Sequence, residues 1–118
     1  MTVLLVALGA AVGAPLRYLT DRAMRARFGP AFPWGTFVVN VVGSFVLGLV
    51  AGAVMEPAVA AVVGTGFCGA LTTYSTFAYE TAALYERRAR VSALVNVVGS
   101  VLAGVAAAAA GWMLGLAL

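Results

Sequence analysis

The chain has 118 residues, of which 64% are hydrophobic and only 9% are charged, and its formal net charge is +3. A water-soluble domain of this size needs far more polar surface, so the composition indicates a membrane protein. The chain contains no histidine and one cysteine, Cys68. This excludes disulfide frameworks, most zinc sites and most pairs of nucleophile and base. We therefore predict that the protein is not an enzyme, and we expect no nucleic-acid partner.

The few charged residues divide the chain into four apolar stretches. An α-helix needs about 20 apolar residues to cross the hydrocarbon core of a bilayer, and each stretch can supply this length. The first stretch lacks a basic leader and is followed by three others, which favours a retained span over a cleaved signal peptide. We predict one all-α membrane domain over residues 1–118, with transmembrane helices near 2–20, 33–55, 58–84 and 91–115.

The arginines predict an orientation in the membrane. The first and third connections hold six of the seven arginines, whereas the second, around Glu56, holds none. By the positive-inside rule, the two arginine-rich connections lie in the cytoplasm and both termini lie outside. We expect the protein in the cell (inner) membrane, where these arginines also meet lipid headgroups. The six are Arg22, Arg25, Arg27, Arg87, Arg88 and Arg90.

A hexapeptide, VNVVGS, occurs twice, at residues 39–44 and 95–100. An unpaired amide in hydrocarbon is costly, so Asn40 of the first copy needs a partner or a water-filled cavity. Thr36, Asn40 and Ser44 share one face of the second span. A single asparagine is more often a contact between helices, but a whole polar face favours a function.

Other small residues indicate helix packing. The second copy is followed by an alanine run at 106–110, so we predict a structural role for Asn96. Glycines spaced four residues apart let helix backbones approach closely in lipid. Four short helices with such faces enclose little interior, which predicts an oligomer. The glycine pairs are Gly9 with Gly13, Gly48 with Gly52, and Gly111 with Gly115.

The third span, GTGFCGALTTYSTFAYE at residues 64–80, is unusual for a membrane helix. Its glycines and paired threonines weaken helix propensity, and they predict a break at 69–73. Such a break is tolerated only inside protein or along a water-filled path. Its free backbone carbonyls are natural ligands for a hard cation such as Na⁺.

Beyond this break, the third span presents a stripe of aromatic and polar groups. Tyr74 and Phe77 lie one turn apart, and Ser75 and Thr76 add hydroxyl groups beside them. Glu80 is an ionisable group within the predicted third span, and an ionisable group inside the membrane indicates a functional site.

Three motifs taken together resemble the Fluc/CrcB family of fluoride channels. They are GAAVGAPLRY (9–18), GTFVVNVVGSF (35–45) and GFCGALTTYSTFAYE (66–80), in the same order and in a chain of similar length. The resemblance implies a dimer of two antiparallel subunits with two fluoride pores. It also implies a central structural Na⁺ at the dimer interface.

The resemblance also implies roles for single residues. Gly69 and Thr72 match the positions whose backbone carbonyls hold Na⁺. Arg17 matches the vestibule arginine, and Glu80 matches the glutamate of the third span. The implied lining of the fluoride pore is Asn40, Tyr74, Ser75, Thr76 and Phe77.

Two features depart from the family pattern. Tyr74 stands where the family more often has phenylalanine, and its hydroxyl could donate to fluoride or obstruct the path. A chain that inserts in both orientations should have balanced flanks, whereas this one is strongly biased. We therefore predict an antiparallel partner that is an oppositely oriented homologue, with a homodimer as the alternative.

Two other functions fit a small four-span protein. A proton-coupled exporter resembling the small multidrug resistance proteins needs a deep acidic residue, typically in the first span, and residues 1–16 hold no charge. A non-transporting scaffold gives no reason for the polar side chains within the spans, although polar groups there are energetically costly. These side chains are Asn40, Ser75, Thr76 and Glu80. We favour a channel that lets cytoplasmic fluoride leave down its electrochemical gradient.

Overall fold

A computed structural model describes all residues from Met1 to Leu118, and its regular structure is entirely helical. Four helical stretches are long and apolar enough to cross a membrane: Thr2–Phe28, Trp34–Ala53, Pro57–Glu86 and Arg90–Ala117. This confirms the predicted all-helical, four-span architecture. The elements in order are α1 (Thr2–Phe28), α2 (Trp34–Ala53), α3 (Pro57–Val59), a π-helix (Ala60–Cys68), α4 (Gly69–Leu71), α5 (Ser75–Glu86) and α6 (Arg90–Ala117).

Helix α1 continues well beyond the span predicted near 2–20 and ends at Phe28. Its last two turns extend out of the apolar stretch. They contain an i, i+4 ion pair, in which Arg25 Nε lies 3.2 Å from Asp21 Oδ2, and such pairs support a helix modestly. The helix stops at Gly29, whose φ of 78° is favourable only for glycine.

The third span changes its helical geometry along its length. In its first half the helix is wound as a π-helix, and the N–H of Gly69 donates to the carbonyl of Gly64, five residues earlier. Helical structure ends at Leu71, and Thr72 has extended torsions, with φ −81° and ψ 160°. The next helix begins at Ser75. Residues 69–71 of the predicted break are thus helical, and the non-helical residues are 72–74.

The helices pack closely through glycine. Helix α2 packs mainly against α6, and α1 mainly against the π-helix. Gly48 of α2 faces the backbone carbonyl of Ala108, and Gly111 of α6 faces that of Phe45, so a Cβ at either glycine would overlap the opposite backbone. Only 18 of the 118 residues are buried, so a single copy has a small interior and a large apolar outer surface.

Candidate functional site

Asn40 holds the point at which the third span stops being helical. Its Nδ2 donates to the carbonyl oxygen of Thr73 over 3.0 Å, and the N–H of Thr73 donates to Asn40 Oδ1 over 2.8 Å. The side-chain amide therefore pairs with both backbone groups of one residue. Because backbone groups released from a helix need partners away from water, Asn40 makes the non-helical segment possible at this depth.

Two threonines complete the hydrogen bonding of the non-helical segment. The hydroxyl of Thr72 donates to the carbonyl of Cys68 over 2.8 Å. The hydroxyl of Thr73 accepts the N–H of Thr76 over 3.2 Å, which caps the first turn of α5. The sequence motif included Thr73, but its capping role was not predicted. The signal that could have indicated it is a threonine just before the start of a helix, three residues ahead of the N–H that it accepts.

Of the two predicted Na⁺ ligands, Thr72 is the first residue of this segment and Gly69 lies in the short helix before it. The carbonyls of Gly69 and Thr72 accept none of the backbone hydrogen bonds that lie outside the helices, and Gly69 faces open space. No group of histidine, cysteine, aspartate or glutamate side chains could hold a metal ion. A cation bound to this chain would therefore depend on backbone and hydroxyl oxygens, the ligands that hard cations prefer.

An open groove of about 640 Å³ runs alongside Asn40. The rings of Tyr74 and Phe77 border it with their centroids 6.3 Å apart and their planes inclined by 42°. Tyr74 is 80% exposed in the single chain. The groove brings together five predicted site residues: Asn40, Gly69, Thr72, Tyr74 and Phe77.

Other predicted residues lie on the opposite side of Thr73. A separate cavity of about 200 Å³ is lined by Arg17 and Thr76, with Asp21, Thr36 and Thr73 among its other walls. Ser75 is exposed and borders neither this cavity nor the groove. The predicted pore lining is thus divided in one subunit, and Thr73 is the residue shared by the two spaces.

Glu80 belongs to a third space near the end of α1. Its Oε2 lies 4.0 Å from Arg25 Nη2, and the same guanidinium pairs with Asp21. The other carboxylate oxygen, Oε1, is buried without a hydrogen-bond partner. Sequence reasoning did not single out Asp21 or Arg25 as neighbours of Glu80. Their spacing of four residues indicates a pair with each other, but nothing in the sequence indicates their contact with Glu80.

The second asparagine, Asn96, also reaches the third span. Its Nδ2 donates to the hydroxyl of Thr81 over 2.8 Å, and that hydroxyl donates to the carbonyl of Phe77 over 2.8 Å. Asn96 is 1% exposed. Thr81 was not predicted as a site residue, because nothing in the sequence distinguishes it from a threonine that packs between helices.

Comparison with known proteins gives one consistent family. Residues 4–112 match the family described as CrcB-like protein, Camphor Resistance (CrcB). A protein of Frankia casuarinae named fluoride-specific ion channel FluC 1 is 58% identical, over 94% of this chain and 93% of its own length. The FluC 1 protein of Streptomyces avermitilis is 55% identical, over 94% and 93%.

A relative with a different numeral is nearly as similar. The fluoride-specific ion channel FluC 2 of Rhodococcus jostii is 53% identical, over 97% of this chain and 98% of its own length. These relatives are ion channels by name and not enzymes, in agreement with the prediction from composition. With four helices able to cross a membrane and a family match over almost its whole length, the chain belongs to the CrcB family.

Proposed function

We propose that this chain forms a fluoride-selective channel through which cytoplasmic fluoride leaves the cell down its electrochemical gradient. The names of the relatives support this function. The observation that carries it is the pairing of Asn40 with the Thr73 backbone, which holds a non-helical, polar segment beside an open groove. A protein that only packed against others would gain nothing from such a segment.

The groups around Thr73 suit a small, strongly hydrated anion. A pore for fluoride must replace its water with hydrogen-bond donors. The Asn40 amide has two N–H groups and gives one to Thr73, so the other remains for an anion. Ser75 and Thr76 contribute hydroxyl groups, and Tyr74 and Phe77 contribute the positive edges of their rings.

Charged side chains near the proposed pore also favour anions over cations. Arg17 borders the cavity that contains Thr76, and a guanidinium there raises the local concentration of anions. Glu80 has the opposite sign. The carboxylate of Glu80 would repel an anion, but the nearby guanidinium of Arg25 offsets this repulsion. The vestibule therefore stays favourable to anions.

The channel works as an antiparallel dimer with two pores. Tyr74, Ser75 and Thr76 are exposed in one subunit, and polar groups facing lipid are costly. A second subunit packed around this segment covers them. The backbone carbonyls of Gly69 and Thr72 from both subunits would hold a central Na⁺, which would offset repulsion between the oxygens and make the adjoining pores more positive.

The partner subunit is an oppositely oriented homologue, and a homodimer is the alternative. Arginines crowd the first and third connections, which favours a cytoplasmic side for those connections and an outer side for the termini. An antiparallel neighbour then needs its basic residues in the opposite connections, so that it inserts in the opposite orientation. Relatives carrying the numerals 1 and 2 are what paired homologues within one organism would produce.

Fluoride efflux from liposomes tests the proposal. The purified chain, alone or with a homologue of opposite charge bias, is reconstituted in vesicles loaded with fluoride, and efflux is read with a fluoride electrode. Chloride-loaded vesicles are the control. We expect fluoride-selective efflux only with both chains. Efflux from this chain alone would contradict the obligatory partner, and no efflux from either preparation would contradict the channel.

A pH gradient separates the channel from the proton-coupled exporter. That alternative draws on the buried, unpartnered oxygen of Glu80. A channel passes fluoride only down its electrochemical gradient, whereas a proton-coupled exporter can move it against that gradient when a pH difference is imposed. Protein-dependent accumulation of fluoride against its gradient, driven by a pH difference, would favour the exporter.

A further inference from the structure

Helix α5 carries much of the proposed pore, yet the segment before it does not fix its rotation. Residues 72–74 are non-helical, so the helical register of α4 is not transmitted to α5. The rotation of α5 about its axis must therefore be set by its neighbours. It packs mainly against α6, and its one buried residue, Leu84, lies near the far end. One apolar side chain leaves a helix free to rotate, because apolar contact is not directional.

A chain of two hydrogen bonds, which are directional contacts, restrains the rotation of α5 about its axis. Asn96 of α6 donates to Thr81 of α5 over 2.8 Å, a shorter contact than the 4.0 Å ion pair that joins Glu80 of α5 to Arg25 of α1. The Thr81 hydroxyl passes its own hydrogen to the carbonyl of Phe77, again over 2.8 Å. Phe77 and Thr81 are one turn apart on the same face. Any rotation of α5 that breaks the first bond therefore also displaces the Phe77 ring.

Resting on the fluoride-channel function proposed above, we propose that Asn96 and Thr81 are positioning residues, which fix the rotation of α5 and so aim Phe77 and Thr76 at the permeating anion. Neither residue borders the groove at Asn40 or the cavity at Arg17. Both therefore act through α5 and not by contact with fluoride. Asn96 is 1% exposed, and its amide would be costly to leave unpaired.

Three variants separate positioning from simple stability. Thr81→Val keeps the shape of the side chain and removes the hydroxyl, so Asn96 Nδ2 loses its acceptor while Asn96 Oδ1 still accepts from Ser100. Thr81→Ser keeps the hydroxyl. Thr81→Val combined with Asn96→Leu removes both partners, and such a replacement by apolar groups is often nearly neutral for stability. Ser92→Ala, one turn earlier on α6 and without a hydrogen bond to another side chain, is the matched control.

The measurements are fluoride efflux and the thermal stability of the purified assembly. We expect Thr81→Val to lower efflux by about tenfold, because a loosely held site loses most of its function. Thr81→Ser and Ser92→Ala should conduct like the wild type. The double variant should recover thermal stability while efflux stays low. Recovery of efflux together with stability would show a merely structural pair and overturn the proposal, as would full efflux from Thr81→Val or equal losses in Thr81→Val and Thr81→Ser.

Amide hydrogen exchange gives a readout that does not depend on transport. Loss of the hydrogen bond between Asn96 and Thr81 should speed amide exchange in residues 75–86 of the double variant, and exchange in α1 should stay unchanged. If the wild-type protein passes no fluoride with or without a homologue, the channel function fails. The exchange measurement still tests whether Asn96 and Thr81 hold α5 in place, because unchanged exchange in residues 75–86 would overturn that role.

Discussion

The two copies of VNVVGS, on α2 and on α6, use the same six residues for different contacts. In the first copy, Asn40 bonds to the backbone of Thr73 through both ends of its amide. In the second, Asn96 bonds to a side chain, the Thr81 hydroxyl. Both asparagines therefore act on the third span, one where helical structure stops and one where it has resumed. A short motif specifies a polar group at a given depth in the membrane, and the facing helix determines its role.

The glycine of each copy shows the same contrast. At Gly43 an added Cβ would overlap Cγ2 of Thr72, whereas at Gly99 nothing lies within 4 Å. The first copy needs glycine so that the third span can approach, and the second does not. Substitutions made in parallel at the two copies therefore test whether the roles differ as described.

The largest expected effect is at Asn40. Asn40→Leu leaves the N–H and the carbonyl of Thr73 without partners, which should cost about 2 kcal/mol or more of unfolding free energy and abolish fluoride efflux. Asn96→Leu removes the partner of two hydroxyls, those of Thr81 and Ser100, and each can still donate to a carbonyl within its own helix. It should therefore destabilise the assembly less. Denaturation in detergent, compared between the two variants, measures the difference, and equal losses would contradict the distinct roles.

Sequence reasoning placed the spans because hydrophobic length and charge are local properties. The family resemblance predicted that Asn40 and Phe77 line a fluoride pore, and in the single chain both border one groove. Sequence reasoning did not foresee that Arg17 and Thr76 would lie in a separate cavity, since that division depends on which faces of three helices meet. Thr81 escaped notice for a similar reason. Its importance comes from a partner 15 residues away on another helix, and no pattern within its own helix indicates such a contact.

The glycines give a second, intermediate test. Gly43→Ala should cost about 1–3 kcal/mol, as overpacking typically does, because Thr72 must move. Gly99→Ala should be neutral or slightly stabilising, by up to about 1 kcal/mol, because alanine is the better helix former. Melting temperatures of the two variants in the same detergent provide the measurement. A larger loss at Gly99 than at Gly43 would mean that a partner subunit packs on α6 at that point.

The smallest expected effect lies at a third restraint on the third span, the contact between Arg25 and Glu80. This contact spans 4.0 Å, and the arginine side chain is 58% exposed, so water and salt weaken it far more than the two asparagine contacts. Arg25→Gln should leave the fold intact. It should lower fluoride efflux about twofold at low ionic strength, because Asp21 and Glu80 then act on the anion without their shared cation.

Salt and a second substitution identify the cause of that loss. The deficit of Arg25→Gln should shrink as ionic strength rises, since screening acts on exposed charges over about 10 Å at 0.1 M salt. Asp21→Asn in the same chain should restore part of the efflux by removing one of the two negative charges. A deficit that ignores both salt and Asp21→Asn would mean that Arg25 acts by packing. Arg25 would then act as Asn96 does, by holding the third span in position, and not by its charge on the permeating anion.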